Sequence, residues 1–594
     1  MPELKNYLSL SRCQFPVFLN DEEIVYVSIN TEGKSIVKKN LKTWEESVLY
    51  NTPEIIWHLY ASKCGKVFFT ADTGGDENEQ LYILNGDGAK NITNSPTTRH
   101  YPGGLLNDGK TFIVASNERV SKTFDIVGVN IETGEKTMLF ENDDNYNMPA
   151  SISPNGKYLL YNKLLGSSNN ALWMLDIQGK TTVKTPAGDA VAAYRNPVWK
   201  NDSTGFFVIS DEGSDFSYVA YYGIAAKAFE KAFEYDWDVS NIALSPCGRN
   251  LAIITNEAGY SALKVYDLVN KSYVNIPQPP KGVMDFPAFS PDGAKITFAL
   301  SSGKRPSDIW VVDIQNDSLN KFSNGLENQL ISDDLVEPEL REFVSFDGLK
   351  VPYLLYVPKG LKAENLPVMI SIHGGPEGQS RPGLSGNEFL QYMINQGIAV
   401  VQPNVRGSIG YGKYYGHLDD VEKRLDSVKD IESLVNHLTE ENVAHKDKIA
   451  VMGGSYGGFM TLSCAARYPD LFCCAVDTVG MFNLVTFLEN TATYRRPHRE
   501  SEYGSLEKHR DILYNVSPVA MVDNIKGPLM IIHGKNDPRV PVSEAYQASE
   551  YLEKRGVTVS LHVYDDEGHG LQKLKNKLDC YPKVIDFVKS HMNI

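Results

Sequence analysis

At 594 residues the chain is too long for one hydrophobic core, so its length predicts two large domains or several small ones. Its 42% apolar and 22% charged residues are typical of a soluble globular protein and exclude wholesale disorder. The net charge of −16 argues against a nucleic acid or an anionic membrane surface as the partner.

The amino-terminal stretch MPELKNYLSLSRCQF lacks the apolar centre of a signal peptide. No other stretch approaches the roughly 18 apolar residues that a membrane span needs. We therefore expect a cytoplasmic protein without a membrane partner. The seven cysteines include no Cys-x-x-Cys pair, so they indicate neither a disulfide framework nor a zinc site, and buried reduced thiols are expected.

Glycine-containing turns recur at regular intervals through the first half of the chain. By subtraction, the spacings between six of these glycines are 44, 47, 49, 43 and 45 residues. One step further back reaches LNDEE at 19–23, which makes seven units. The six glycines are Gly65, Gly109, Gly156, Gly205, Gly248 and Gly293.

Each unit contains short runs of aromatic and β-branched residues between polar turns, as in ALWMLDIQGK (171–180) and DIWVVDIQND (308–317). Such runs predict antiparallel strands. A period of about 40 to 50 residues with about four strands per unit is typical of a β-propeller. We therefore predict a seven-bladed propeller over residues 1–325. The alternative, an array of β-sandwiches, would need linkers that the sequence does not show.

The pattern changes near residue 325, where short continuous apolar runs begin to alternate with amphipathic helical segments. This alternation predicts a mostly parallel sheet covered by helices on both faces, over residues 326–594. Ligands of such sheets bind at the carboxyl ends of the strands. The runs include LPVMISI (366–372), GIAVVQP (397–403), KIAVM (448–452), PLMIIHG (528–534) and TVSLHVY (558–564).

The sequence GGSYG (453–457) matches Gly-x-Ser-x-Gly, the nucleophile elbow of α/β-hydrolases. The pattern alone is weak, but it falls between an apolar strand and a helical run, which is the context that the motif requires. Ser455 is therefore the candidate nucleophile. The similar RGSIG (406–410) has Arg in place of the first glycine, so we interpret Ser408 as a loop residue.

A serine nucleophile needs a histidine base and a carboxylate that orients it, and in this fold they follow in the order Ser, acid, His. Asp537 follows one predicted strand and His569 follows the next, on the same sheet edge as Ser455. The neighbouring acids within 565–567 are rivals for the orienting role, but they lie too close to His569 in the chain to reach its Nδ1 without a hairpin. Asp537 is therefore favoured.

Two backbone N–H groups are the candidates for stabilising an oxyanion. One belongs to Tyr456, directly after the nucleophile, and the other to Gly375 in HGGPEG (373–378), which follows a predicted strand. Glycines allow the backbone to approach an anion closely. A plain Gly-Gly turn is the alternative interpretation of this loop.

Together these motifs resemble the prolyl oligopeptidase family of serine peptidases, and within it the acylaminoacyl-peptidase-like branch. The resemblance covers most of residues 345–594, and the propeller half is similar in architecture. The motifs are HGGPEGQSRPG (373–383), QPNVRGSIGYG (402–412), GGSYGGFM (453–460), FLENTATYRRP (487–497), HGKNDPRVPVSEA (533–545) and DEGHG (566–570).

The resemblance implies a peptidase for short peptides, with the site between the domains and the propeller excluding folded proteins. It also implies an arginine that holds a substrate carbonyl or carboxylate, and TYRRP offers Arg495 and Arg496 without a choice between them. Three apolar residues are candidates both for the substrate pocket and for the core. They are Met481, Phe482 and Phe487.

The dipeptidyl-peptidase branch of the family holds a free amino terminus with a pair of propeller glutamates. Here Glu-Glu pairs occur in the propeller half only within its first unit, in DEEI (21–24) and WEES (44–47). The acidic loop DEGSDF (211–216) is another candidate for binding the amino terminus, although most acidic runs of this kind form solvated turns. The sequence therefore leaves open whether free or blocked amino termini are preferred.

The predicted reaction is peptide hydrolysis through an acyl-enzyme, which needs no metal or cofactor. The alternatives are a dipeptidyl exopeptidase, an esterase of the same fold, and a non-enzymatic propeller scaffold with a vestigial hydrolase domain. The three filled triad positions count against the scaffold. A homo-oligomer is compatible with the sequence, which does not fix the number of subunits.

Overall fold

The computed structural model describes residues 3–30, 33–62, 64–86, 88–143, 146–185, 191–326 and 332–594. Residues 12–321 form seven four-stranded antiparallel sheets, and residues 339–564 contribute one eight-stranded sheet. The predicted combination of a seven-bladed propeller with an α/β-hydrolase domain is confirmed.

Each propeller blade consists of four consecutive strands, paired in chain order. The first four blades are β1–β4 (Arg12–Phe18, Glu23–Asn30, Gly33–Asn40, Glu46–Thr52), β5–β8 (Ile56–Ala61, Val67–Ala71, Gln80–Asn85, Gly88–Asn91), β9–β12 (His100–Leu105, Thr111–Ser116, Asp125–Asn130, Lys136–Phe140) and β13–β16 (Tyr146–Ile152, Tyr158–Leu164, Asn170–Asp176, Thr181–Lys184). The last three are β17–β20 (Tyr194–Trp199, Gly205–Ser210, Tyr218–Gly223, Ala228–Phe233), β21–β24 (Asp238–Leu244, Asn250–Glu257, Tyr260–Asp267, Ser272–Val274) and β25–β28 (Val283–Phe289, Lys295–Ser302, Arg305–Asp313, Ser318–Lys321).

The recurring glycines lie between the first and second strands of their blades, where the chain turns tightly. Gly109, Gly156 and Gly248 have φ of 68°, 71° and 74°, a backbone region that glycine enters without steric cost. Gly205 differs, because it begins β18 and Ser203 adopts the left-handed φ of 56° instead. The period in the sequence is therefore the period of this turn.

Side-chain packing closes the propeller ring between its first and last blades. The rings of Phe15 and Phe286 lie 4.4 Å apart, and Ser307 Oγ donates a hydrogen bond of 2.7 Å to the carbonyl of Cys13. Because every blade is built from consecutive strands, the ring closes without exchange of a strand between the chain ends.

The second domain has the strand order β29-β30-β32-β31-β33-β34-β35-β36. Strand β30 pairs antiparallel with both of its neighbours, and all pairs from β32 onward are parallel. These strands are β29 (Glu339–Val344), β30 (Lys350–Tyr356), β31 (Leu366–Ile372), β32 (Ala399–Pro403), β33 (Ala444–Gly454), β34 (Cys474–Thr478), β35 (Leu529–Gly534) and β36 (Val559–Tyr564).

Helices cover both faces of this sheet, so its central strands are buried over nearly their whole length. The α-helices of the chain are α1 (Leu4–Leu8), α2 (Glu388–Asn395), α3 (Lys413–Gly416), α4 (Arg424–Glu440), α5 (Tyr456–Arg467), α6 (Leu484–Asn490), α7 (Arg496–Tyr503), α8 (Arg510–Val516), α9 (Ser543–Glu553) and α10 (Leu574–Met592). Short 3₁₀ helices lie at Ser332–Asp334, Val421–Lys423 and Pro518–Asn524.

The amino-terminal helix α1 packs against the second domain, although the sequence pattern places residues 1–325 in the propeller. Leu4 belongs to the apolar cluster that also holds residues of α2 and α10. The rings of Tyr7 and Tyr392 lie 5.6 Å apart, edge to face. Helix α1 therefore lies on the hydrolase domain, and the first blade begins after it at Arg12.

Cysteine exposure differs from the expectation of uniformly buried thiols. All seven cysteines are free, but Cys64 and Cys247 are exposed, both in turns of the propeller.

Among the residues that the structure describes, none of the helices is both long and apolar enough to cross a bilayer.

Candidate active site

Ser455 lies at a sharp turn between strand β33 and helix α5, at the carboxyl edge of the sheet. Its φ of 59° and ψ of −116° fall outside the regions that non-glycine residues usually occupy. Its N–H donates a hydrogen bond of 2.9 Å to the carbonyl of Thr478 on the neighbouring strand. This strained strand-to-helix turn is the geometry of a nucleophile elbow.

The glycines on either side of Ser455 are required by close backbone contacts. A Cβ atom on Gly457 would collide with the carbonyl oxygen of Ile372, and one on Gly453 would collide with the carbonyl of Gly457. The motif therefore requires glycine at these two positions, because the strand, the loop and the helix lie too close together there to leave room for a side chain.

Asp537 and His569 are brought together as the sequence predicts. Asp537 follows β35 and His569 follows β36, and His569 Nδ1 lies 2.6 Å from Asp537 Oδ2. The other carboxylate oxygen of Asp537 accepts the N–H groups of Arg539 at 2.8 Å and Val540 at 3.1 Å. With its carboxylate fixed in this way, Asp537 keeps the proton on Nδ1 and leaves Nε2 of His569 free to act as a base.

The rival acids next to His569 are engaged elsewhere. Asp565 pairs with Lys535 at 2.8 Å, and Asp566 pairs with Lys573 at 3.0 Å. Glu567 accepts the N–H of Lys573 at 2.9 Å. Asp566 and Glu567 are therefore held at the approach of α10 and Asp565 at Lys535 after β35, which leaves Asp537 as the partner of the histidine.

The loop 373–378 packs directly against the nucleophile turn. A Cβ atom on Gly374 would lie 3.0 Å from the carbonyl oxygen of Gly454 and 3.3 Å from Cβ of Ser455. Gly375 has φ of +140°, and a side chain there would strike the backbone of the same loop. The bare backbone around Gly375 and the first N–H of α5, at Tyr456, therefore border the same small space.

The side chain of Tyr456 is anchored below the nucleophile by a buried polar network that the sequence did not reveal. Its hydroxyl donates to Asp419 Oδ2 at 2.8 Å and lies 2.8 Å from Ser427 Oγ. Burial raises the pKa of Asp419 to about 6, although Arg424 beside it acts in the opposite direction. The network fixes Tyr456, the first residue of α5, directly after Ser455.

Ser408, in the RGSIG sequence (406–410), makes two contacts within the fold. Its hydroxyl donates a hydrogen bond of 2.6 Å to the carbonyl of Val405 and lies 2.9 Å from His373 Nε2. It is fully buried in the loop after β32.

The three apolar candidates for the substrate pocket lie within the core of the hydrolase domain. Met481, Phe482 and Phe487 are 1%, 0% and 3% exposed and belong to its largest apolar cluster. The ring of Phe487 packs edge to face on Tyr503 at 5.9 Å. Core packing accounts for all three, and their role in a pocket stays a prediction.

The two arginines of TYRRP have different surroundings. Arg496 donates through Nη2 to the carbonyl of Glu489 at 2.8 Å, towards the surface. Arg495 precedes α7 at the domain interface, and burial, with Arg539 adding to it, lowers the pKa of Arg495. In both arginines Nε is buried without a hydrogen-bond partner among the described residues.

A propeller loop between β6 and β7 reaches the loops that carry Asp537 and His569. Glu77 pairs with Arg539 of the Asp537 loop and with Arg99 of the propeller, the latter at 2.7 Å. A Cβ atom on Gly75 would lie 3.0 Å from the N atom of Gly568, next to the histidine. The sequence marks this loop by the acidic, glycine-rich stretch DTGGDENEQ (72–80). It does not indicate the partner of Glu77, because Arg539 lies more than 450 residues away in the chain.

The acidic loop 211–216 is occupied by the second domain. Asp215 accepts the N–H of Tyr414 at 2.7 Å, and Asp211 lies 3.5 Å from Lys413 Nζ. These carboxylates hold the chain around α3, which explains their clustering without a bound amino terminus.

A cavity of about 510 Å³ lies between the domains at the carboxyl edge of the sheet. Its walls include Gly374 and Gly454, each next to a candidate site residue, and Leu571, two residues after His569. A second cavity, of about 400 Å³, shares Asp285 and Arg381 with it. Burial raises the pKa of Asp285. The interface therefore contains enclosed space beside the candidate site.

Residues 385–594 match the sequence model of the prolyl oligopeptidase family. The chain is 24% identical over 617 residues to "Dipeptidyl peptidase family member 6" of Caenorhabditis elegans, which covers 92% of this chain and 80% of that protein. It is 25% identical over 318 residues to the "Acylamino-acid-releasing enzyme" of Homo sapiens, which covers 51% of this chain and 41% of that protein.

The fold of the whole chain is similar to that of a solved puromycin-hydrolyzing peptidase from Mycobacterium tuberculosis. The TM-score is 0.87 at 18% identity, covering 100% of this chain and 96% of that one. At 18% sequence identity, this comparison shows that the two chains share the two-domain fold and shows nothing further.

Proposed function

We propose that the chain is a serine peptidase of the prolyl oligopeptidase family and that it hydrolyses short peptides with Ser455, Asp537 and His569. The observation that carries this proposal is the 2.6 Å contact between Asp537 and His569 on the same sheet edge as the strained Ser455 turn. The three residues also follow one another in the chain in the order serine, acid, histidine, which is the order of this fold's triads.

In the proposed mechanism, His569 Nε2 takes the proton from Ser455 Oγ as the oxygen attacks the peptide carbonyl. The N–H groups of Gly375 and Tyr456 stabilise the oxyanion, and the imidazolium gives its proton to the leaving amine. Water then hydrolyses the acyl-enzyme by the same steps in reverse. Asp537 holds the imidazole orientation throughout.

The position of the propeller supports short substrates. Its loops contact the Asp537 loop through Glu77 and the chain around α3 through Asp215. A folded protein would have to displace these contacts to reach Ser455. A peptide could occupy the interdomain cavity of about 510 Å³. Neither candidate arginine is among the residues that line this cavity, so which of Arg495 and Arg496 binds substrate stays open.

Substitution of the nucleophile tests the proposal. Ser455→Ala should keep the fold and lower kcat for acyl-peptide anilides by about 10⁴-fold or more, because no other group can form the acyl-enzyme. A fluorophosphonate probe should label the wild-type chain at Ser455 and leave this variant unlabelled. Ser408→Ala is the matched control and should still be labelled. Wild-type-like turnover in Ser455→Ala would contradict the proposal.

A dipeptidyl exopeptidase is the second candidate, favoured by the similarity to a dipeptidyl peptidase family member over 92% of the chain. The acylamino-acid-releasing relative matches over only 51%. A peptide library with free and acetylated amino termini distinguishes the two by mass spectrometry. Release of dipeptides from free termini alone would favour the exopeptidase, and release of acetylated residues would favour the acylaminoacyl-type activity.

A further inference from the structure

Helix α7 of the hydrolase domain is attached to the fourth propeller blade by several polar contacts. Ser167, in the loop between β14 and β15, donates through Oγ to the carbonyl of His498 at 3.0 Å. Its N–H donates to Ser501 Oγ at 3.2 Å. Just before the helix, the ring of Tyr494 stacks on Tyr146 at 5.8 Å. Helix α7 and the segment before it therefore bridge the hydrolase domain and the fourth blade.

Arg499, on this helix, binds both the propeller and the glycine loop beside Ser455. Its Nη1 donates to the carbonyl of Gly375 at 3.2 Å, and its Nη2 donates to Ser167 Oγ at 2.9 Å. The carboxylate of Glu377 lies 3.4 Å from Nη2. One planar guanidinium can serve these three acceptors together because its N–H groups point outward in a fixed arrangement.

The charge of Arg499 is retained although the side chain is only 16% exposed. Burial is the largest single influence and acts to lower the pKa of Arg499, but Glu377, Tyr503 and Glu502 together raise that pKa overall. A charged donor makes a stronger hydrogen bond to a carbonyl than a neutral donor does. The contact with Gly375 is therefore suited to fixing a flexible residue.

Gly375 has no side chain that could limit its own backbone, so contacts from other residues set its conformation. Its φ of +140° lies in a region that favours glycine. Its carbonyl and its N–H belong to adjacent peptide planes that meet at the same Cα. Holding the carbonyl fixes one of these planes and narrows the positions open to the other, which carries the N–H proposed as an oxyanion donor.

We propose that Arg499 is a positioning residue for the oxyanion hole, and that it links docking of the propeller at Ser167 to the orientation of the Gly375 N–H. This inference rests on the proposed peptidase function and deepens it. It predicts that the chain loses transition-state stabilisation, and not substrate binding, when the contact is removed.

The test compares Arg499→Met with Arg510→Met, an exposed arginine on α8 that pairs with Glu489. Losing a whole oxyanion donor typically costs about 10²–10³ in rate, so misdirecting one should lower kcat by about 10- to 100-fold. We expect KM to change by less than about threefold, and Arg510→Met to match the wild-type chain.

A pair of inhibitors separates positioning from a structural role. A peptide aldehyde adds to Ser455 Oγ and forms a tetrahedral oxyanion, whereas the corresponding peptide alcohol does not. In Arg499→Met, aldehyde affinity should fall by the same factor as kcat/KM while alcohol affinity stays within about twofold. Equal losses for both inhibitors, or an unchanged kcat, would overturn the proposal.

Two further variants keep the test decisive if Arg499→Met does not fold. Arg499→Lys keeps the charge, and Ser167→Ala removes only the propeller contact; each should show a smaller loss of aldehyde affinity with alcohol affinity retained. Wild-type affinities for both in these variants would refute the link. Failure of the peptidase function itself is distinct, because the wild-type chain would then neither hydrolyse peptides nor bind the aldehyde more tightly than the alcohol.

Discussion

Asp537 is the residue on which the candidate site depends most clearly. Its side chain is fully buried, and its two oxygens divide their contacts between backbone N–H groups and His569 Nδ1. An acid held in this way can only accept hydrogen bonds, so it selects the tautomer of the imidazole.

We predict that Asp537→Asn lowers kcat by about 10⁴-fold with little change in stability. The amide keeps the shape of the carboxylate but can donate to Nδ1, which favours the wrong tautomer of His569. Steady-state kinetics on a peptide anilide measure the loss. Asp565→Asn, a few residues from His569 and paired with Lys535 on the surface, is the control and should stay within about twofold. Comparable losses in both variants would argue against the assigned acid.

At the scale of elements, helix α9 supports the segment that leads from β34 into α6. Its Glu544 is completely buried and accepts the N–H groups of Phe482 at 3.1 Å and Asn483 at 2.8 Å. Burial raises the pKa of Glu544 from near 4.5 to about 7. The folded chain therefore holds a proton at this site that the unfolded chain has already released.

This shift predicts a stability that depends on pH in a defined window. Because the folded pKa is raised, the contribution of Glu544 is complete below about pH 4.5 and is lost as pH rises towards 7, by about 3 kcal/mol in total. Glu544→Gln should remove this part of the pH dependence. The difference in Tm between pH 5 and pH 8 should shrink relative to the wild-type chain.

Glu550→Gln is the control for this prediction. Glu550 lies on the same helix, is exposed and pairs with Lys554. Its replacement should leave the pH dependence of Tm unchanged. An equal change in both variants would show that Glu544 is not the titrating group.

At the scale of the whole molecule, the propeller is part of the support of the candidate site. Gly75 approaches Gly568 in the histidine loop, and Glu77 pairs with Arg539 in the aspartate loop. Two of the three candidate catalytic side chains are thus carried by loops that touch the other domain.

We predict that Gly75→Ala lowers kcat by about tenfold or more, because the added Cβ would press on the backbone next to His569. Gly65→Ala is a matched control, since Gly65 has a similar φ of +77° but open space around its Cβ position. It should show the backbone strain of a left-handed alanine, about 1–2 kcal/mol, without the loss of turnover. Steady-state kinetics measure kcat and thermal unfolding measures Tm for both variants. An equal loss of kcat in both variants would contradict the prediction.

Much of the fold could be predicted because its determinants are local. Turn glycines such as Gly156 report the blade period, since each tight turn needs a residue that tolerates positive φ. Ser455 and His569 could be placed because they directly follow apolar strands whose carboxyl ends share one edge. The docking of α1 on the hydrolase domain could not be predicted, because five helical residues carry no signal of a partner more than 300 residues away.

The two architectures, the nucleophile turn and the order of serine, acid and histidine could be predicted, because they follow from spacing and from chemistry within short segments. The side chains that surround them depend on tertiary packing. Arg499, Glu77 and the partners of Asp215 act on residues that are distant in the chain. An arginine on a helix has the same local pattern whether it faces solvent or the carbonyl of Gly375, so the packing of the two domains makes that choice.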